Sequence, residues 1–585
     1  MRPTCLLWRV KEQSRNSRTM TENEEFVASL QEIVGNRQVL TTSTATRSFR
    51  TGFRGGSGSA LAVVRPGSLL EMWRVLQQCV KARKAVLMQA ANTGLTGGST
   101  PDQSVVDRDV VIINAMRINR IFLIDGGRQV ICLPGVTLRQ LERTLARLGR
   151  EPHSVLGSSC FGATVVGGVC NNSGGSLVRR GPAYTEMALF AQITPDWQLC
   201  LVNHLGARMG AVPEEALARL ERGEFELVRE AHQSSRQGSD GAYASRVREI
   251  SCGEPSRYNE DPRRLFEASG CAGKLAVFAV RVDTFAKDRQ TRVFYIGTNE
   301  AASLSRLRRT ILKEFETLPV SAEYIHRTAF DVAERYGKDI FLAIRLLGTD
   351  ALPILRSLHE KMQAMRGFLG LRGKKRSWSP WQSLLQALPS HLPLRMRSYR
   401  HRFEHHLILK MPDDGIGEAR AYLQAAAERG DVEAFECTSA EAEKAFLHRF
   451  VVAGAAMRLL EVERLGISSI VPLDVALLPD DERWSEFEPR DLHSEIHTVV
   501  PYGHFLCHVF HLDYILRPEA DSAVVKKRLM AWLDVRGARY PAEHNVGRLY
   551  RASPALEAFY RALDPTNSFN PGVGQTSTRP GWAEG

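Results

Sequence analysis

Between Phe26 and Val34 apolar residues recur at helical spacing. The chain then settles into short apolar runs bounded by turn residues: ALAVVRP at 60–66, AVLMQA at 85–90, DVVIINA at 109–115 and QVICLPG at 129–135. Runs of this length and setting predict strands. Between them lie SLLEMWRVLQQCVKARK (68–84) and LRQLERTLARLG (138–149), whose apolar positions repeat every three to four residues and predict amphipathic helices. Strands alternating with helices in this way predict an α/β arrangement. After Asp283 the pattern changes. VFYIGT (293–298), AASLSRLRRTIL (301–312), HHLILKM (405–411) and GEARAYLQAAAERG (417–430) predict β-α-β-α, an α+β unit with helices on an antiparallel sheet. The tail from about 520 predicts a helix, VVKKRLMAWLDVRG, followed by loop-rich segments.

Composition narrows the classes. The 585 residues are 43% hydrophobic and 24% charged, so global disorder is excluded and several domains with real cores are expected. No run of about 18 apolar residues occurs, which excludes a polytopic helical membrane protein. The ten cysteines form no CxxC pair and read as reduced thiols of a cytosolic environment. Residues 1–19 lack an h-region and a cleavage site. They read as an unstructured extension, or translation starts at Met20, where MTENEEFVASLQEIVG opens an amphipathic helix.

The formal net charge of +12 is unevenly placed. Between Arg356 and Arg402 stand eleven cations (Arg356, Lys361, Arg366, Arg372, Lys374, Lys375, Arg376, Arg395, Arg397, Arg400 and Arg402) against the single acid Glu360, so this stretch holds +10 of the total. Phe368, Leu369, Leu371, Trp378, Trp381, Leu384 and Leu385 lie between them. Cations interleaved with Trp and Leu suit an anionic bilayer surface, each cation contributing about 1 kcal/mol at the headgroups. A solvated loop is the plain alternative, and nucleic acid is disfavoured because no recognition motif accompanies the patch.

No G-x-G-x-x-G fingerprint and no Walker loop is present. Two other loops stand out. QAANTGLTGGSTP (89–101) follows the AVLM strand and sets Gly94, Gly97 and Gly98 among small polar residues. Such a loop turns consecutive backbone N–H groups toward one anion without Cβ obstruction. GSSCFGATVVGGVCNNSGG (157–175) is the second. Either alone reads equally as a tight turn; two in one α/β unit favour a nucleotide cradle.

These loops, followed by RGPAYTEM, resemble the FAD-binding domain of the vanillyl-alcohol-oxidase (PCMH) type flavoproteins. LFEASGCAGKLAVFAVRVDTF (265–285), PSHLPLRM (389–396), FEHHLILKM (403–411), KAFLHRF (444–450), YGHFLCHVFHLDYI (502–515), YPAEHNVG (540–547) and DPTNSFNPGVG (564–574) resemble the quinone-dependent D-lactate dehydrogenases of bacterial respiratory chains. The resemblance covers about residues 20–580. It implies an α+β fold: a two-lobed FAD-binding domain, an α+β cap domain with an antiparallel sheet, and a basic membrane-binding insertion. The divisions it implies are an extension at 1–19, the FAD domain at 20–285, the cap at 286–325 and 403–519, the insertion at 326–402, and a segment at 520–585 returning to the FAD domain.

By the same resemblance the first loop wraps the FAD pyrophosphate with Ala90, Ala91, Asn92, Thr93, Gly94, Gly98 and Ser99. Gly157, Thr164 and Gly174 approach the rest of the cofactor, and Val277 closes the pocket. Related enzymes attach flavin through a His in the first loop; 89–101 contains none, so the FAD is expected to be noncovalent. Arg449 takes the role of substrate-carboxylate clamp and His544 that of the base removing the hydroxyl proton. Relatives acting on D-2-hydroxy acids hold a divalent metal with two His seven apart and a Glu preceding the catalytic His; here these are His504, His511 and Glu543. The relatives have a glycine-rich turn between the two His, whereas this chain reads FLCHVF. In a plain strand, positions seven apart face opposite sides, so one ion is shared only if the chain bends or bulges there. The metal is left open, with His508 and Cys507 as alternative ligands or core residues. The expected function is oxidation of D-lactate to pyruvate with electrons passed to quinone, by a peripheral enzyme on the cytoplasmic side of the inner membrane. No nucleic-acid partner is expected. The alternatives are the same scaffold acting on another D-2-hydroxy acid (2-hydroxyglutarate or glycolate) and a basic non-enzymatic binder.

Overall fold

The computed structural model describes residues 22–52, 55–102, 108–154, 162–228, 236–348, 390–462 and 466–583. A small mixed sheet contains β1 (Val39–Leu40), β2 (Ala62–Val64), β3 (Ala85–Gln89) and β4 (Val110–Asn114) in the order β1-β2-β4-β3, with β2 and β3 parallel to β4. Val63, Leu87 and Ile112 pack on one face, and Ala62, Val64, Val86, Val111 and Ile113 on the other. Burial on both faces explains why these runs read as continuously apolar. The crossover helix Leu69–Lys81 is capped by Ser68, whose hydroxyl accepts from the Glu71 N–H, and buries Leu69, Met72, Trp73, Leu76 and Cys79.

A second, antiparallel sheet follows: β5 (Ile121–Ile124), β6 (Gln129–Cys132), β7 (Arg150–Pro152), β8 (Ala188–Ile193) and β9 (Leu199–Asn203). After a short ribbon of β10 (Ala207–Arg208) and β11 (Glu226–Leu227) it is completed by the long β12 (Ala276–Ala286), which pairs with β6, β7 and β8. The C-terminal segment lies along the edge of the first sheet, where Val86 donates to Ser568 O and accepts from Asn570 N, both at 2.8 Å.

The cap is a seven-stranded antiparallel sheet of β13 (Thr291–Thr298), β14 (Ser321–His326), β15 (His405–Pro412), β16 (Glu433–Glu436), β17 (Ile470–Ala476), β18 (Ile496–His504) and β19 (Val509–Leu516), in the order β16-β13-β15-β14-β18-β19-β17. Its side chains alternate with period two. Ile296, Tyr324, Leu407, Leu409, Leu512 and Tyr514 meet the helices Ala301–Glu314, Gly415–Glu428 and Ser522–Val535. Tyr295, Ile325, Ile408, Val500 and Ile515 meet the helices Arg327–Tyr336 and Ser439–Val462.

The interval 326–402 differs from a simple insertion at both ends. Ala329, Phe330, Ala333 and Tyr336 belong to the cap core, each buried Phe contributing about 1.5–3 kcal/mol. The helix Leu394–Arg402 buries Met396, and three of its cations are paired inside the cap. Arg395 meets Glu441 at 2.5 Å, Arg400 grips Asp331 through two bonds of 2.6 Å, and Arg402 meets Glu433. The remaining cations from Arg356 to Arg376, with Trp378 and Trp381, lie outside the described residues, as do residues 1–19. Among the described residues no helix is long and apolar enough to cross a membrane.

Candidate active site between the cap sheet and the glycine loops

The first glycine loop leaves the carboxyl end of β3, where α/β sheets bind ligands. Its shape is held by side chains: Gln89 Nε2 donates to Phe49 O (2.7 Å) and Ser99 O (2.8 Å), Asn92 Nδ2 donates to Thr51 O (2.9 Å), and the Ser99 hydroxyl donates to Asn92 Oδ1 (2.7 Å). Asn92 itself sits at φ +54. The backbone N–H groups of residues 91–98 find no acceptor among the described residues. Consecutive unused amides carry partial positive charge, and a pyrophosphate fits them. Ala90, Ala91, Asn92, Thr93, Gly94, Gly98 and Ser99 all lie in this turn.

The second loop is described from Gly162 onward, so Gly157 lies outside the described residues. Thr164 is buried and its hydroxyl accepts from Gly167 N at 3.0 Å, capping the helix Val165–Cys170. Val277 is buried on β12. Gly174 lies against Glu543: its N–H donates to Glu543 O at 3.2 Å.

The chain does turn between His504 and His511. His504 ends β18, residues Phe505–Cys507 form one 3-10 turn, His508 takes the left-handed conformation at φ +56, and β19 runs back antiparallel. His511 therefore pairs with Tyr502, two residues from His504, and both imidazoles lie on one face of the sheet. The seven-residue spacing spans a tight hairpin, and His508 occupies the position where a glycine is commonest. Cys507 and His508 are buried in and beside that turn. His508 Nδ1 is 2.6 Å from Leu478 O, and Cys507 Sγ accepts from Tyr243 OH at 3.3 Å, so neither joins the cluster.

One ligand atom each of His504, His511 and Glu543 lie within 4.8 Å of one another. His504 Nε2 is 3.2 Å and His511 Nε2 3.5 Å from Glu543 Oε2. Two imidazoles and a carboxylate converging on one point fit a divalent cation. The opposite Glu543 oxygen meets the Arg257 guanidinium, whose Nε and Nη1 are buried without an acceptor. His504 Nδ1 is 2.8 Å from Glu323 Oε1, and Glu323 Oε2 is 2.9 Å from Arg449 Nε. Arg449, on the helix Ser439–Val462, packs over the Tyr502 ring at 4.6 Å, and its terminal nitrogens have no acceptor among the described residues.

Asp474, paired with His511 across β17 and β19, gathers the next segment. Its Oδ2 accepts from Glu543 N (2.8 Å), His544 N (3.2 Å) and His544 Nδ1 (2.5 Å). The His544 side chain stays 31% exposed while Glu543 and His504 are at 8% and 10%, so His544 is the member open to a small ligand.

Electrostatics decide the protonation states. Burial alone would raise the Glu543 carboxyl, but His504 and Arg257 hold it well below the usual range. Burial likewise opposes ionisation of Asp474, and His544 overrides it. Burial would lower the His504 imidazolium, yet Glu323 and Glu543 on either side raise it to about 10. An ionised Asp474 only accepts hydrogen bonds, so the His544 Nδ1 carries the proton and Nε2 is the basic nitrogen. Glu323, Asp474 and Arg257 escaped the sequence reading. Asp474 had a signal, an acid inside the apolar run IVPLDVALL; Glu323 and Arg257 had none beyond their charge.

Comparison with known proteins bears on the family and the fold. Two family descriptions match: "D-lactate dehydrogenase, membrane binding" over residues 293–582 and "FAD binding domain" over 60–192. The quinone-dependent D-lactate dehydrogenase of Escherichia coli (strain K12) is 50% identical over 97% of this chain and 100% of its own length. That of Corynebacterium glutamicum is 43% identical over 97% and 99%. In fold the chain is similar to substrate-bound p-cresol methylhydroxylase, with a TM-score of 0.57 at 12% identity over 95% of this chain and 97% of that one. It is also similar to alkyldihydroxyacetonephosphate synthase, with a TM-score of 0.55 at 13% identity over 94% and 86%. The two-lobed FAD-binding architecture is therefore of the vanillyl-alcohol-oxidase type, and the chain belongs to the family of the quinone-dependent D-lactate dehydrogenases.

Proposed function

We propose that D-lactate is oxidised to pyruvate between the His504–His511–Glu543 cluster and the two glycine loops, with the electrons leaving to quinone. One observation carries this reading: a carboxylate-binding cation, Arg449, and an Asp-oriented histidine, His544, stand at the two ends of one ionic cluster. The substrate must give up a proton from its hydroxyl and a hydride from its carbon. The amides of residues 91–98, Thr164 and Gly174 in the second loop and Val277 would hold FAD noncovalently, and the flavin would supply the hydride acceptor. A divalent ion held by His504, His511 and Glu543 would place positive charge beside the substrate oxygen.

The chain's own groups do the rest. Glu323 pairs with the Arg449 guanidinium on its Nε side, leaving the terminal nitrogens for the substrate carboxylate. His544 takes the hydroxyl proton on Nε2, and the imidazolium formed is stabilised by Asp474 at Nδ1. Of the basic stretch 356–402, the cations from Arg356 to Arg376 rest on anionic headgroups at the cytoplasmic face of the inner membrane, where a lipid-soluble quinone is within reach, while Arg395, Arg400 and Arg402 stay paired with cap acids. The FAD domain is 20–285; of the segment 520–585, the helix Ser522–Val535 packs on the cap sheet and the chain returns to the FAD domain after it.

The test is anaerobic flavin bleaching by D-lactate, L-lactate, glycolate and D-2-hydroxyglutarate. D-lactate bleaches fastest, and Arg449→Met raises its KM about 100-fold by removing two charge-assisted bonds of about 1.5 kcal/mol each. Equal rates for the two lactate enantiomers, or an unchanged KM in Arg449→Met, refute it.

A further inference from the structure

The segment that carries Glu543 and His544 is gripped from both sides by the flavin loops. On the first-loop side, Gly547 has φ +53, and a Cβ there would lie 2.3 Å from Thr96 O and 2.4 Å from Thr96 Oγ1. Gly98 approaches the same residue: its own Cβ would come 3.3 Å from Gly547 Cα. Arg548 N donates to Thr96 O at 2.8 Å, closing the contact. On the second-loop side, a Cβ on Gly174 would sit 2.7 Å from Glu543 Cγ and 2.8 Å from Glu543 Oε1. Neither approach tolerates a side chain, so the glycines of both loops serve this segment as well as the cofactor.

We infer that Gly547 and Gly174 are positioning residues that join the flavin loops and the Glu543–His544 segment into one unit, so that occupancy of the FAD site sets the geometry of the base. This rests on the proposed reading of the loops as the FAD cradle. The physical reason is that eight consecutive amides, those of residues 91–98, have no acceptor among the described residues, an arrangement that a bound anion stabilises. Fixing Thr96 and Gly98 fixes Gly547 and Arg548, and through them His544 against Asp474. Coupling of this kind is reciprocal: whatever disturbs the segment weakens FAD binding by the same factor.

Hydrogen exchange of the 541–550 region, measured on the full-length apoprotein with and without FAD, tests the inference. The wild type is expected to show exchange slowed on the order of 10-fold or more by FAD, at the low end of ordinary coupling energies. His544→Ala keeps that protection while losing turnover, which separates this inference from the assignment of the base. Gly547→Ala weakens FAD binding, read by flavin fluorescence, by a comparable factor and abolishes the protection at saturating FAD. Gly174→Ala, which sets a Cβ against Glu543 on the second-loop side, is expected to weaken FAD binding and lower kcat together. Unchanged exchange in the wild type on adding FAD overturns the coupling whatever the variants do. Wild-type FAD affinity and protection in Gly547→Ala overturn the role of that contact.

Discussion

Replacing Asp474 by Asn tests the orientation of the base with almost no change in shape. The carboxylate accepts three hydrogen bonds, from Glu543 N, His544 N and His544 Nδ1, and the last, at 2.5 Å, is the shortest. An amide can still accept from the backbone, but it carries no charge to hold an imidazolium and can equally donate to Nδ1. That donation favours the tautomer with its proton on Nε2, the nitrogen that has to accept one. A positioned general base contributes about 10²–10⁴-fold in rate, and this is the loss expected for flavin reduction, about 3–5 kcal/mol in barrier. KM for D-lactate stays near its original value because Arg449 and Glu323 are untouched. The assay is anaerobic stopped-flow reduction of the bound flavin by D-lactate and by its 2-deuterated form, with flavin content measured beforehand. Reduction at the wild-type rate would show that Asp474 does not orient the base. A purely structural defect would instead appear as lost flavin.

Other parts of the fold make further predictions. Lys274 is fully buried against Asn567 Oδ1 at 2.7 Å, and burial lowers its ammonium to about 7 despite Asp564; Lys274→Met should cost about 1–3 kcal/mol in urea unfolding by taking the donor from the buried Asn567 Oδ1. His391, His406 and His448 are buried, and burial, reinforced by neighbouring cations and histidines, lowers them to about 4, 3 and 3. The unfolded chain therefore binds more protons below its usual histidine value, so stability is complete near neutrality. It falls between about pH 6.5 and 4 by up to about 1.4 kcal/mol per histidine per pH unit, and His448→Phe should flatten that slope in unfolding measured from pH 7 to 5. Substituting Gln for Arg372, Lys374, Lys375 and Arg376 should weaken binding to anionic vesicles by about 1 kcal/mol per charge and spare dye-linked activity. Arg400→Gln, already paired with Asp331, should leave vesicle binding unchanged in the same flotation assay.

Much of the architecture is legible in local pattern. Continuous apolar runs mark β3, β4, β13 and β15 because these strands are buried on both faces, and period-3.6 runs mark their helices because each buries one. The glycine loops are legible for a similar reason, since a residue without Cβ permits the close approach seen at Gly174. The charge pattern reads less well. Arg395, Arg400 and Arg402 count toward the basic stretch in sequence, but their acids lie elsewhere in the chain, at Glu441, Asp331 and Glu433.

The site divides along the same line. A histidine and an arginine in distinctive motifs, His544 and Arg449, can be singled out from the chain alone because their chemistry is written in residue type and neighbourhood. Their partners cannot, since pairing is a matter of distance. Glu323, Asp474 and Arg257 lie in unremarkable stretches and acquire meaning only when strand order sets β14, β18, β19 and β17 side by side. The His504–His511 spacing shows the same limit. Counted along the chain it places the two rings on opposite faces, and only the turn through His508 brings them together. Local physics specifies the elements and the reactive groups; long-range packing alone sets which charges are neutralised, which nitrogen is basic and where the ligands meet.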